Sequence, residues 1–119
     1  MKKVCLIGST RFREEYERVN QQLSQRGYVV YSVSCFGNSG DSLTTEDKLV
    51  LDAVHLRKIV ESDVVFVINK GGYIGESTTR ELYFSRIMGK DIRWLESNES
   101  SVRFDRVNFR SEDRPCNYI

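Results

Sequence analysis

Five consecutive apolar residues, Val64-Val65-Phe66-Val67-Ile68, restrict the fold of this 119-residue chain more than any other segment. A strand with one wet face alternates apolar and polar residues, whereas an unbroken β-branched and aromatic run must be covered on both faces. Val4-Cys5-Leu6-Ile7 has the same character. Tyr28-Val29-Val30-Tyr31-Ser32-Val33 and Asp91-Ile92-Arg93-Trp94-Leu95 read as two further strands. Between the strands lie helical stripes. Phe12, Tyr16, Val19 and Leu23 recur at four, three and four residues, and Gly27 follows where a left-handed C-terminal cap belongs. Leu49, Ala53, Leu56 and Val60 mark a second helix from Glu46 as its core stripe. Leu82, Phe84, Ile87 and Met88 mark a third, ended by Gly89. The alternation predicts an α/β three-layer fold, a doubly wound parallel sheet of four to five strands, Rossmann-like or flavodoxin-like, in the order 2-1-3-4. The ends of the first and third strands then lie side by side at the switch point, where such sheets bind ligands.

Composition narrows the classes of function. The length fits one domain, expected over residues 1–95, with a polar tail over 96–119 that is read as an added edge strand, a flexible segment or an oligomer contact. A net charge of +1 calls for neither nucleic acid nor an anionic membrane, and no apolar run approaches the ~18 residues of a membrane span. The apolar run after Lys2-Lys3 is too short for a signal-peptide core and reads as the first strand. Cys5, Cys35 and Cys116 are an odd, widely spaced set, and His55 is the single histidine. No disulfide framework, metal or cofactor is expected, and a reducing, cytoplasmic compartment is the simplest reading.

Two strand-to-helix loops carry the chemistry. In Gly8-Ser9-Thr10-Arg11 the glycine allows close backbone approach, the hydroxyls and helix N-terminal amides suit a phosphate or sugar, and Arg11 adds charge. A tight turn capped by Ser9 or Thr10 explains the same residues. The loop from Asn69 to Thr79 holds Gly71, Gly72, Tyr73, Gly75, Ser77 and Thr78, with Glu81 in the helix behind it. Ser77 and Thr78 stand where a helix begins. Glu81 has two readings: a cleft carboxylate, or the glutamate of a capping box Thr78-Thr79-Arg80-Glu81, which spacing alone favours. His55 lies beside the expected core stripe of the second helix, with Asp52 and Lys58 a turn away. It reads as locally paired, or as a proton carrier if its helix runs toward the site.

The segment from His55 to Leu95, with its Asp-Val-Val-Phe-Val-Ile strand, glycine loop, Ser-Thr-x-x-Glu helix start and Gly-Lys before the last strand, resembles the nucleoside 2-deoxyribosyltransferase-like superfamily. That group includes the deoxynucleoside monophosphate N-glycosidases. Val-Cys-Leu-Ile-Gly-Ser-Thr-Arg is similar to the superfamily's first loop, so the likeness spans roughly residues 3 to 95. The resemblance implies cleavage of a nucleotide or nucleoside N-glycosidic bond, by hydrolysis or deoxyribosyl transfer, with Glu81 as nucleophile. It also implies a homo-oligomer, dimer or higher. His55 falls where the superfamily carries a catalytic aspartate, so the acid/base group differs. A pocket that binds a nucleotide-derived ligand without chemistry is the alternative this difference keeps open.

Overall fold

The computed structural model describes residues 2–34, 36 and 43–96. Cys35, the stretch 37–42, Cys116 and the whole tail from 97 on, with its expected edge strand, lie outside the described residues. The elements run β1 (Lys3–Gly8), α1 (Arg13–Gln25), β2 (Val29–Tyr31), α2 (Thr45–Glu61), β3 (Val64–Ile68), a single 3-10 turn (Lys70–Gly72), α3 (Glu76–Ile87) and β4 (Asp91–Trp94). All strand pairs are parallel, in the order β2-β1-β3-β4 expected from the pattern. β1 and β3 occupy the centre and are buried along almost their whole length, as their unbroken apolar runs require.

Alternate residues of these strands feed two cores. Val4, Leu6, Val64, Phe66 and Ile68 pack with Tyr16, Val19 and Leu23 of α1, so that stripe faces the sheet as its spacing predicts. Cys5, Ile7, Val65, Val67, Ile92 and Trp94 face the opposite way and take Ile59 of α2 and Leu82 of α3. Thus α1 covers one side of the sheet, and α2 and α3 share the other.

The second helix departs from expectation. Its buried residues are His55 and Ile59, while Leu49, Leu56 and Ala53 are exposed. The stripe 49-53-56-60 is real but points away from the sheet, and the inward face carries Leu51, His55 and Ile59 with Lys58 and Ser62. The helix starts one residue earlier than Glu46. It is held by a capping box in which the Thr44 hydroxyl accepts from the Asp47 amide and the Asp47 carboxylate from the Thr44 amide.

Gly8 closes β1 at a positive φ of 148°, and a Cβ there would lie 2.5 Å from the Ile68 carbonyl oxygen. Glycine is therefore needed so that the ends of β1 and β3 can approach each other, beyond any need of a ligand. The Tyr16 hydroxyl donates to the Gly8 carbonyl at 2.8 Å and fixes this corner. At the end of β3, buried Asn69 donates from its side-chain amide to the Glu96 carbonyl and accepts from the Glu96 amide at 2.9 Å. These two bonds continue the β3–β4 ladder by one step.

Candidate active site

A cavity of about 350 Å³ opens at the carboxyl ends of β1 and β3, the switch point of the sheet. Val33 and Ser34, which follow β2, and Leu43, ahead of α2, line part of it, and three further segments wall the rest. Gly8, Ser9 and Thr10 come from the β1 loop. Gly75, Ser77, Thr78 and Glu81 come from the start of α3, with Glu76 beside them. The inner face of α2 supplies His55, and with it Asp52, Leu51 and Lys48.

The start of α3 decides what Glu81 does. The helix is capped by Gly75, with no side-chain bond, and begins at Glu76. Thr78 lies inside the first turn and Glu81 in the second, so the capping box Thr78-Thr79-Arg80-Glu81 does not form. The Thr79 hydroxyl bonds the Gly75 carbonyl instead, at 2.8 Å. Freed of that role, the Glu81 carboxylate turns toward α2, and its Oε2 lies 3.5 Å from Nε2 of His55. Both side chains are largely buried, 20% and 11% exposed.

The burial sets their charge states. Desolvation, then the negative charge of Asp52, pushes the Glu81 carboxyl from 4.5 up to about 7, against a smaller pull from Arg80. Desolvation, then the charge of Lys58, brings the His55 imidazole from 6.5 down to about 4, against Asp52. Near neutral pH the imidazole is thus unprotonated and faces a carboxyl that is about half protonated. The two act as one unit holding at most about one proton between them.

The remaining predicted residues lie apart from the cavity lining. Arg11 lies over the Tyr73 ring, 4.3 Å from its centroid, and approaches the Tyr73 hydroxyl at 3.4 Å. Tyr73 in turn meets Phe12 edge to face at 6.0 Å. This stack joins the β1 loop to the β3 loop. Gly71 and Gly72, at φ 66° and 81°, shape the 3-10 turn that carries Tyr73 to it. Lys70, in the same turn, reaches the buried Glu15 of α1 at 3.3 Å. Sequence reasoning did not single out Lys48, Leu51 or Asp52 as site residues. The signal was their spacing, since 48, 51, 52 and 55 lie one turn apart on the face of α2 that holds His55. Among the described residues no cluster of His, Cys, Asp and Glu is arranged to hold a metal ion. No helix of the described residues is long and apolar enough to cross a membrane.

No family model and no curated protein matches the sequence. Among solved structures, a 2-deoxyribosyltransferase from the psychrotolerant bacterium Bacillus psychrosaccharolyticus superposes with a TM-score of 0.62, over 92% of this chain and 93% of that one. This is the nucleoside 2-deoxyribosyltransferase-like fold. At 18% identity the likeness is one of backbone architecture. In the deoxyribosyltransferase-like fold of this chain, Glu81 and His55 stand at the switch point, on two different helices of one face.

Proposed function

We propose that the chain is an enzyme of the N-glycosidic bond, acting on a nucleoside or nucleotide with Glu81 as nucleophile and His55 as its proton partner. The observation that carries this reading is the pair itself: a buried carboxyl and a buried imidazole, 3.5 Å apart in a switch-point cavity. The superposition on a 2-deoxyribosyltransferase supports the class of reaction, and the cavity has room for one nucleoside-sized ligand at a time.

The pair's single proton gives the steps their balance. Passing it from Glu81 to Nε2 of His55 produces a carboxylate and an imidazolium. The carboxylate oxygen attacks the anomeric carbon as the carbon–nitrogen bond breaks. The electron pair goes to the base nitrogen, and the imidazolium protonates the departing base. A glycosyl ester on Glu81 remains. Water or a second base then attacks the anomeric carbon while neutral His55 takes its proton, and Glu81 leaves as a carboxylate. Hydrolysis and transfer differ only in this acceptor. The hydroxyls of Ser9, Thr10, Ser77 and Thr78 and the first-turn amides of α3 are suited to sugar hydroxyls or a phosphate. Arg11 and Tyr73 brace the two loops from outside the lining.

Incubation with a panel of deoxynucleosides and nucleoside monophosphates should release free base, and Glu81→Gln should abolish release. Full activity in Glu81→Gln would remove the mechanism. The position of His55, where the superfamily resemblance implies an aspartate, favours a second reading in which the pocket binds such a ligand without turnover. That reading predicts ligand-dependent thermal stabilisation with no base released.

A further inference from the structure

Lys58 stands one turn beyond His55 on the inward side of α2, and its ammonium crosses to the segment that follows β2. Nζ donates to the Ser32 carbonyl at 2.8 Å and to the Ser34 hydroxyl at 3.2 Å. Val33 and Ser34 line the cavity. The β1–β2 pairing ends at Tyr31, so the sheet ladder does not place these residues, and the lysine ties them to the helix that carries His55. Both acceptors are uncharged. A neutral donor such as glutamine could serve that tie without taking an ammonium partly out of water, so the tie alone does not call for a cation.

The charge finds its use in the neighbouring pair. Lys48 and Asp52 of α2, Arg80 of α3, Cys5 of β1 and Tyr16 of α1 are the other ionisable groups around His55 and Glu81. Burial pushes the Cys5 thiol up to about 12 and the Tyr16 hydroxyl above its ordinary value, so neither is charged near neutral pH. Lys48 and Asp52 sit exposed at the rim, and Arg80 is paired with Glu76 at 3.2 Å. After burial, Lys58 does most to weaken the hold of His55 on a proton. We propose that Lys58 is a positioning residue of the site, which fastens the Val33–Ser34 wall to α2 and sets a positive charge against the proton of the His55–Glu81 pair. This rests on the reading of the pair as a catalyst at the glycosidic bond, and assigns the group that makes the pair give its proton up. With the cation in place the proton rests on Glu81, and an imidazolium formed during reaction is a strong acid that passes it to the departing base. Without the cation the imidazole keeps the proton more firmly.

His55 is the single histidine, so its ring protons can be titrated by NMR in the full chain with no substrate present. Lys58→Met keeps most of the side chain's bulk and removes both the charge and the bonds. It should raise the midpoint of the His55 titration from about 4 by on the order of one pH unit. Lys58→Gln can still donate a hydrogen bond and should raise the midpoint by a similar amount, which keeps the test in hand if the methionine variant does not fold. Lys58→Arg should leave it near the wild-type value. Ser34→Ala removes one bond of the wall without touching the charge, and should leave the titration in place. With a nucleoside from which base is released, Ser34→Ala should raise KM several-fold with little change in kcat, whereas Lys58→Met should raise KM and lower kcat. A His55 titration unmoved in both Lys58→Met and Lys58→Gln would overturn the proposal. So would a shift of equal size in Ser34→Ala or Lys58→Arg. Absence of base release in the wild type would instead remove the enzyme reading, and the titrations alone would then decide whether Lys58 governs the pair.

Discussion

Replacing Glu81 by glutamine should stabilise the protein at alkaline pH while removing its nucleophile. The fold raises the Glu81 pKa from 4.5 to about 7, through burial first and the Asp52 charge second. An acid with a raised pKa holds its proton more tightly folded than unfolded. Its favourable contribution is complete below 4.5 and is lost as pH rises through about 7. At 1.36 kcal/mol per pH unit, ionised Glu81 costs the fold about 3 kcal/mol at pH 8 relative to acid conditions. Glutamine matches the size of the side chain and has no such cost. Glu81→Gln should therefore exceed the wild type by about 3 kcal/mol at pH 8, roughly 10 °C in Tm, and differ little from it at pH 4. His55 faces an uncharged side chain in both proteins at pH 4 and is itself uncharged in both at pH 8, so its contribution largely cancels in the comparison. Urea unfolding followed by the single tryptophan, Trp94, measures both values, since that indole is buried in the folded chain. A variant no more stable than wild type at pH 8, or equally stabilised at both pH values, would refute the electrostatic argument.

Other perturbations test the same geometry. Base release in the wild type should fall as pH rises through about 7, because the pair then loses the single proton that it hands to the departing base. Asp52→Asn should move that limb to lower pH, because the Asp52 charge helps keep Glu81 protonated. Asn69→Ala removes both bonds that the buried Asn69 side chain makes to the backbone of exposed Glu96 and should cost about 1–3 kcal/mol in denaturant unfolding. Gly8→Ala places a methyl 2.5 Å from the Ile68 carbonyl oxygen. It should lower Tm by well over 5 °C and impair ligand binding together with stability, as read by calorimetry with and without nucleoside.

The strands and their order were legible because burial on both faces leaves an unbroken apolar run, and β1 and β3 have one each. The first helix was legible for the complementary reason. Its inner face is apolar and its outer face polar, as a helix with no other task requires. The second helix was not. A cavity wall needs polar groups, so His55 stands buried where an apolar residue is expected, with exposed Asp52 at the rim beside it, and the apolar stripe lies outside. Periodicity found the stripe and assigned it the wrong direction. The capping-box reading of Glu81 failed for a local reason. Gly75 starts the helix on backbone geometry alone, one turn before the hydroxyls at Ser77 and Thr78 that look like caps. His55 and Glu81 lie 26 positions apart, and only the crossover of α2 and α3 on one face brings them together.

The cavity has one stiff wall and one adaptable wall. The β3 side is tied at Asn69 to Glu96, at Lys70 to Glu15 and at Tyr73 to Arg11, so a change there disturbs bonds that hold strands and loops in place. On the α2 side Lys48 and Asp52 are exposed side chains at the rim of the cavity, on a helix whose ends are secured by the Thr44–Asp47 cap and by the Lys58 ammonium on the Ser32 carbonyl. Substitutions at 48 and 52 can alter what the cavity accepts at little cost to the fold. Drift in ligand preference among chains of this architecture should therefore accumulate on α2, and directed changes of specificity have their widest latitude there.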